Sequence, residues 1–184
     1  METVIRSRLA AGALNTRGLV LVGVVFGLLV LGATYRLGFT ARAFLGLPTL
    51  TVLALAAMSD IQRKTIPDWI TLPGLGWVLA VSVFLGLPRP AEAVLGAAVC
   101  GSTLLVLAVV SRGSIGGGDV KLMAVVGASL GWRWGFAALF FAQITAALVA
   151  GCLLVMGRKG RKDVVPFAPF LSTSAILAFL AKPL

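Results

Sequence analysis

Apolar runs of about twenty residues recur along this chain, and they restrict its fold more than any other feature. A run of that length crosses a bilayer as an α-helix, which pairs every backbone N–H and C=O within the segment. Such runs occupy residues 18–35, 43–59, 70–87, 91–110 and 135–156. Two others are less regular. Residues 120–131 are only about two-thirds of a full span by the usual length rule, and read as a short, tilted or partly embedded helix starting at Asp119. Residues 164–180 form a last span, broken near its start by Pro166-Phe-Ala-Pro-Phe170. The pattern predicts an all-α fold, a polytopic membrane helix bundle of about seven transmembrane helices. Composition agrees: 59% of the 184 residues are hydrophobic and mean hydropathy is +1.05, against about 45–50% apolar in soluble domains.

The first seventeen residues carry Arg6, Arg8 and Arg17 and look like the basic region of a signal peptide. The apolar run after them is longer than a typical signal core, so it reads as a first transmembrane helix, with a cleaved signal as the alternative. Sixteen basic residues face six acidic ones, for a net charge of +10. In a soluble protein that balance suggests nucleic acid. Here the basic residues fall mostly in short stretches between apolar runs, without an aromatic–basic surface motif, so membrane topology is the simpler cause. With the N-terminus inside, eleven of the sixteen lie on the cytoplasmic side, and Arg36, Arg42, Arg89, Arg133 and Lys182 lie outside. The expected place is the inner (plasma) membrane.

The chain has no histidine, which excludes His-based general bases, Ser-His triads and His-metal sites within it. Its two cysteines, Cys100 and Cys152, both lie in apolar runs and form no CxxC pair, so they read as buried free thiols. No metal or other cofactor is expected.

The acidic residues are then the place to look for chemistry, because a carboxylate costs about 2.5–3.5 kcal/mol at the centre of a membrane helix and is a functional candidate by default. Asp60 ends one apolar run. Asp119 ends the glycine series Gly116-Gly117-Gly118 and opens another. The loop charges place both at the cytoplasmic boundary, where the two are expected to face each other. Two carboxylates brought together in a partly dehydrated site share one proton. The ionised member takes a proton from water as the water attacks a carbonyl, and the protonated member donates to the carbonyl oxygen and then to the leaving amine. That chemistry hydrolyses a peptide bond without a cofactor. Gly116 and Gly118 suit the site because a residue without Cβ admits close backbone approach; a plain flexible linker is the simpler alternative. Asp119 can equally serve as a helix N-cap, and Asp60 as a stop-transfer residue beside Arg63 and Lys64. Asp68, after Pro67, is the main rival to Asp60, but it suits the first turn of a helix, where it would complement the dipole. Lys121 lies two residues past Asp119 and need not point the same way; it either tunes the site or anchors at the interface.

Three stretches carry a resemblance: Asp60-Ile-Gln-Arg-Lys-Thr-Ile-Pro-Asp68-Trp69, Gly116-Gly-Gly-Asp-Val-Lys-Leu122 and Pro166-Phe-Ala-Pro-Phe170. Together they resemble the type IV prepilin peptidases, membrane-embedded aspartyl proteases of the GxGD group, over residues 43–180. The resemblance implies that Asp60 and Asp119 are the catalytic pair. It implies a prepilin or pilin-like precursor as substrate, cut at the cytoplasmic end of its hydrophobic segment after a short basic leader. Long family members carry a cytoplasmic insertion with paired CxxC motifs and an N-methyltransferase activity. This sequence has no CxxC and no room for that domain, so it looks like the short, peptidase-only branch that serves tight-adherence (Flp) pili. The expected organisation is residues 1–42 as a basic N-terminus with an extra transmembrane helix, and 43–184 as a six-helix peptidase-like core. Two other classes stand beside this one: a non-catalytic membrane component of a pilus or secretion machine, and a small transporter, although the chain shows no convincing internal repeat.

Overall fold

The computed structural model describes residues 27–28, 32, 41–111, 115–157 and 166–182. The expected first span, 18–35, falls almost wholly outside them, as does the basic stretch 158–162. Among the described residues the fold is all helix. Five helices follow in order: α1 (Ala41–Arg63), α2 (Asp68–Leu85), α3 (Pro90–Val110), α4 (Gly117–Val155) and α5 (Ala168–Ala181). The first four are long and apolar enough to cross a membrane. α5 is a shorter apolar helix of 14 residues.

The ends of these helices follow from local chemistry. α1 runs past Asp60 to Arg63, one turn further than the apolar run alone suggests, because Ile61, Gln62 and Arg63 are compatible with a helix. It stops at Lys64, whose φ of 54° is left-handed. Ser59 Oγ then donates to the Thr65 carbonyl (2.8 Å) and steadies the turn. Pro67 precedes α2 and Pro90 opens α3, in positions where a missing N–H costs nothing. The proline-rich stretch 166–170 does not delay the last helix beyond Ala168: Pro169 occupies its first turn.

α4 is two helices that meet at a kink. Gly131, at φ 77° and ψ 165°, breaks it in a region essentially closed to residues with a side chain. The short apolar segment and the longer one expected after it, 120–131 and 135–156, are therefore the two limbs of α4. The limb before the break is the centre of the molecule. Leu122, Met123 and every residue from Val125 to Gly131 are buried, as expected for a helix that is apolar all round. α4 packs against each of the other four helices, most extensively against α3. At that crossing Gly96 and Gly127 bring backbone against backbone: a Cβ on either would strike the other's carbonyl oxygen. Small residues at a helix crossing are the usual route to close packing in a membrane. Cys100 is buried beside this crossing, whereas Cys152 is exposed on the limb after the break. The expectation of two buried thiols therefore holds for one of them; the second limb buries only part of its surface within the bundle.

α5 runs antiparallel to α1 and is pinned to it by Ser172 Oγ, which donates to the Leu53 carbonyl (2.9 Å). At the other end of α5, Lys182 Nζ donates to the Leu130 carbonyl (3.1 Å), next to the break at Gly131. The end of α1 and the starts of α2, α4 and α5 thus share one end of the bundle.

Candidate active site

Asp60 lies in the last turn of α1 and Asp119 in the first turn of α4. Both are almost fully inside the protein, with exposures of 6% and 8%. They are close enough for their charges to act on one another. A pair 59 positions apart in sequence is brought together because α1 ends, and α4 begins, at the same end of the bundle.

The two carboxylates are held differently. Asp60 Oδ2 accepts the backbone N–H of Ala168 (2.9 Å), the first residue of α5. The N–H of Phe167 and the ammonium of Lys64 also act on this carboxylate. A helix N-terminus presents free N–H groups and a favourable dipole to an anion. This is the role of the Pro166–Phe170 stretch: it delivers the start of α5 to Asp60. The sequence flagged the stretch, but the backbone donors carry no sequence signal.

Asp119 is not the helix N-cap. That position belongs to Gly116, and Asp119 is the third residue of the helix. From there its side chain reaches back toward the backbone N–H of Gly116, as an acidic residue does in a capping box. Its other oxygen, Oδ1, is buried and has no hydrogen-bond partner among the described residues. A buried carboxylate oxygen without a partner is costly. It is the kind of exception found at sites that do chemistry.

The glycines divide. Gly118 lies flat against the α1–α2 connection: a Cβ there would stand 2.8 Å from Ile66 Cβ and 3.0 Å from the Ile66 carbonyl oxygen. A Cβ on Gly116 would touch Asp119 Oδ2 at 3.4 Å, and one on Gly117 would meet nothing within 4 Å. The series is thus no plain linker, since one member is required by packing.

Asp68 is the first residue of α2, as its place after Pro67 suggested. It is 57% exposed and bound to Lys121, 43% exposed, with Asp68 Oδ1 accepting from Lys121 Nζ at 2.6 Å. Its charge is therefore engaged outside the buried pair. Lys121 points away from Asp119 and toward α2.

Residues 47–151 match the model of the type IV leader peptidase family, a stretch that takes in Asp60, Asp68, Gly116, Gly118, Asp119 and Lys121. The chain is 32% identical over 157 residues to the Prepilin leader peptidase/N-methyltransferase of Bacillus subtilis (strain 168), covering 85% of this chain and 63% of the relative. The proteins of that name from Legionella pneumophila and Pseudomonas putida are 31% and 32% identical, over 82% and 87% of this chain and 54% and 57% of theirs. The chain thus spans somewhat over half the length of these relatives. No solved structure matches it. With the match extending over more than half of its residues, the chain belongs to the type IV leader peptidase family.

Proposed function

We propose that this protein is a membrane-embedded aspartyl endopeptidase that removes the leader from a prepilin or pilin-like precursor. Asp60 and Asp119 are its catalytic pair. The observation that carries this reading is the convergence of two buried aspartates at one end of an apolar helix bundle, one of them with an oxygen that has no hydrogen-bond partner among the described residues. Hydrolysis then follows from the arrangement. Asp60, oriented by the start of α5, and Asp119, oriented by the first turn of α4, share a proton. The ionised member draws a proton from a water that attacks the scissile carbonyl carbon. The other protonates the carbonyl oxygen, and collapse of the tetrahedral species delivers a proton to the departing amine. The positive-inside bias supports placing this end of the bundle at the cytoplasmic face of the plasma membrane. A precursor would then be cut where its hydrophobic segment meets the cytoplasm.

The test is co-expression with a candidate prepilin. The native chain should convert precursor to the shorter form. Asp60→Asn and Asp119→Asn should each abolish conversion while the protein remains in the membrane, since asparagine keeps the size but neither accepts a proton as an ionised base nor donates an acidic one. Substantial conversion by either variant at normal membrane level would remove the dyad and leave a non-catalytic component of a pilus or secretion machine as the better account.

A further inference from the structure

The buried pair is formed by two helix ends, and nothing within either helix sets their separation. Two contacts beside the pair join the two ends. The chain after Asp60's helix reaches the helix of Asp119 twice: Ile66 of the connection packs on Gly118, with no room for a Cβ between them, and Asp68 at the start of α2 binds Lys121 at 2.6 Å. These contacts straddle Asp119. Residues 119 and 121 differ by about 200° around a helix of 3.6 residues per turn, so the side chain that points inward to Asp60 is followed by one that points outward to α2.

We infer that the Asp68–Lys121 ion pair, with Ile66 seated on Gly118, is a clamp that sets the separation of Asp60 and Asp119, making Asp68 and Lys121 positioning residues for the reaction. This rests on the peptidase reading. The ion pair suits such a role better than a structural one. Both side chains are about half exposed, and pairs of that kind add little to folding stability. Its direction matters more than its strength. It links the first residue of α2 to the first turns of α4, and it resists rotation of that turn about its own axis. A shift of about one ångström between reacting groups can cost on the order of a hundredfold in rate.

The test uses the full chain in membranes with a prepilin substrate, measuring single-turnover cleavage rate and apparent substrate affinity separately. Asp68→Asn and Lys121→Gln should each lower the rate by roughly ten- to a hundredfold, with affinity within about twofold and the membrane level unchanged. The double variant should be no slower than the worse single one, because both changes release the same clamp. Exchanging the charges, Asp68→Lys with Lys121→Asp, should recover much of the rate. Near-native rates in the single variants, losses that multiply in the double variant, a loss of affinity in place of rate, or no recovery on exchange would each overturn the clamp. Failure of the native chain to cleave would instead overturn the peptidase reading on which it rests.

Discussion

The backbone N–H of Ala168 donates to Asp60 Oδ2 across 2.9 Å, joining residues 108 positions apart. The start of α5 is thereby built around one carboxylate of the pair. Asp119 Oδ1, on the other side of the pair, has no such partner among the described residues. The difference predicts that substitutions at the two aspartates are separable in stability.

Asp60→Ala should be less stable than Asp60→Asn by about 1–3 kcal/mol, since alanine strands a buried N–H that the asparagine side-chain oxygen still accepts. Asp119→Ala should lose less than Asp60→Ala, because Asp119 Oδ1 has no partner among the described residues and the Gly116 N–H that the side chain reaches is exposed. Thermal unfolding in detergent micelles measures both. Equal midpoints for Asp60→Ala and Asp60→Asn would show that the Ala168 contact does not hold α5.

The glycine series should respond unevenly. Gly118→Ala places a methyl against Ile66, whose Cβ and carbonyl offer no space. Cleavage should fall by on the order of a hundredfold as the first turn of α4 is displaced. Gly117→Ala enters open space and should stay within about threefold of native, since alanine suits a helix better than glycine does. Similar rates for the two variants in a prepilin-cleavage assay would return the series to a linker.

The α3–α4 crossing predicts a purely structural defect. Alanine at Gly96 or Gly127 would drive a methyl into the facing carbonyl oxygen. Overpacking of this kind costs about 1–3 kcal/mol, so either variant should lower the unfolding midpoint in detergent. Gly76, with nothing within 4 Å of its would-be Cβ, is the control. A midpoint for Gly127→Ala matching that of Gly76→Ala would show that the helices separate at no cost.

Membrane sidedness is checked by labelling. In a chain carrying Cys100→Ala and Cys152→Ala, single cysteines at Lys64 and Gly117 should react with a membrane-impermeant thiol reagent only from the cytoplasmic side. One at Arg89 should react only from outside. Lys64 and Gly117 flank the two aspartates in sequence, so labelling them from opposite sides would part Asp60 from Asp119.

Much of this protein is determined by sequence alone. Hydrocarbon leaves an apolar run of twenty residues one conformation in which its backbone is satisfied, so helices α1 to α3 and the second limb of α4 follow from run length. Proline places the starts of α2 and α3, because it fits where an N–H has no acceptor. The cost of a charge near a membrane helix singles out Asp60 and Asp119, and loop charge puts both on one side. Local rules work here because each concerns a residue and its immediate neighbours.

Tertiary structure decided the rest, and each instance is a contact between distant segments. Asp119 reads equally well as a helix cap until the folded chain shows Gly116 in that position. Asp68 carries no sign in the sequence of its partner; the folded chain gives it Lys121, 53 residues on. Gly116 and Gly118 read alike as places for close backbone approach; only the position of Ile66 gives Gly118 a packing role that Gly116 lacks. The two apolar limbs of α4 read as separate helices, and the structure keeps them apart at Gly131, whose φ of 77° and ψ of 165° interrupt the helix. The donor to Asp60 is a backbone N–H, a group every residue but proline carries. Which N–H reaches a carboxylate is set by where α5 packs, and no residue type records that.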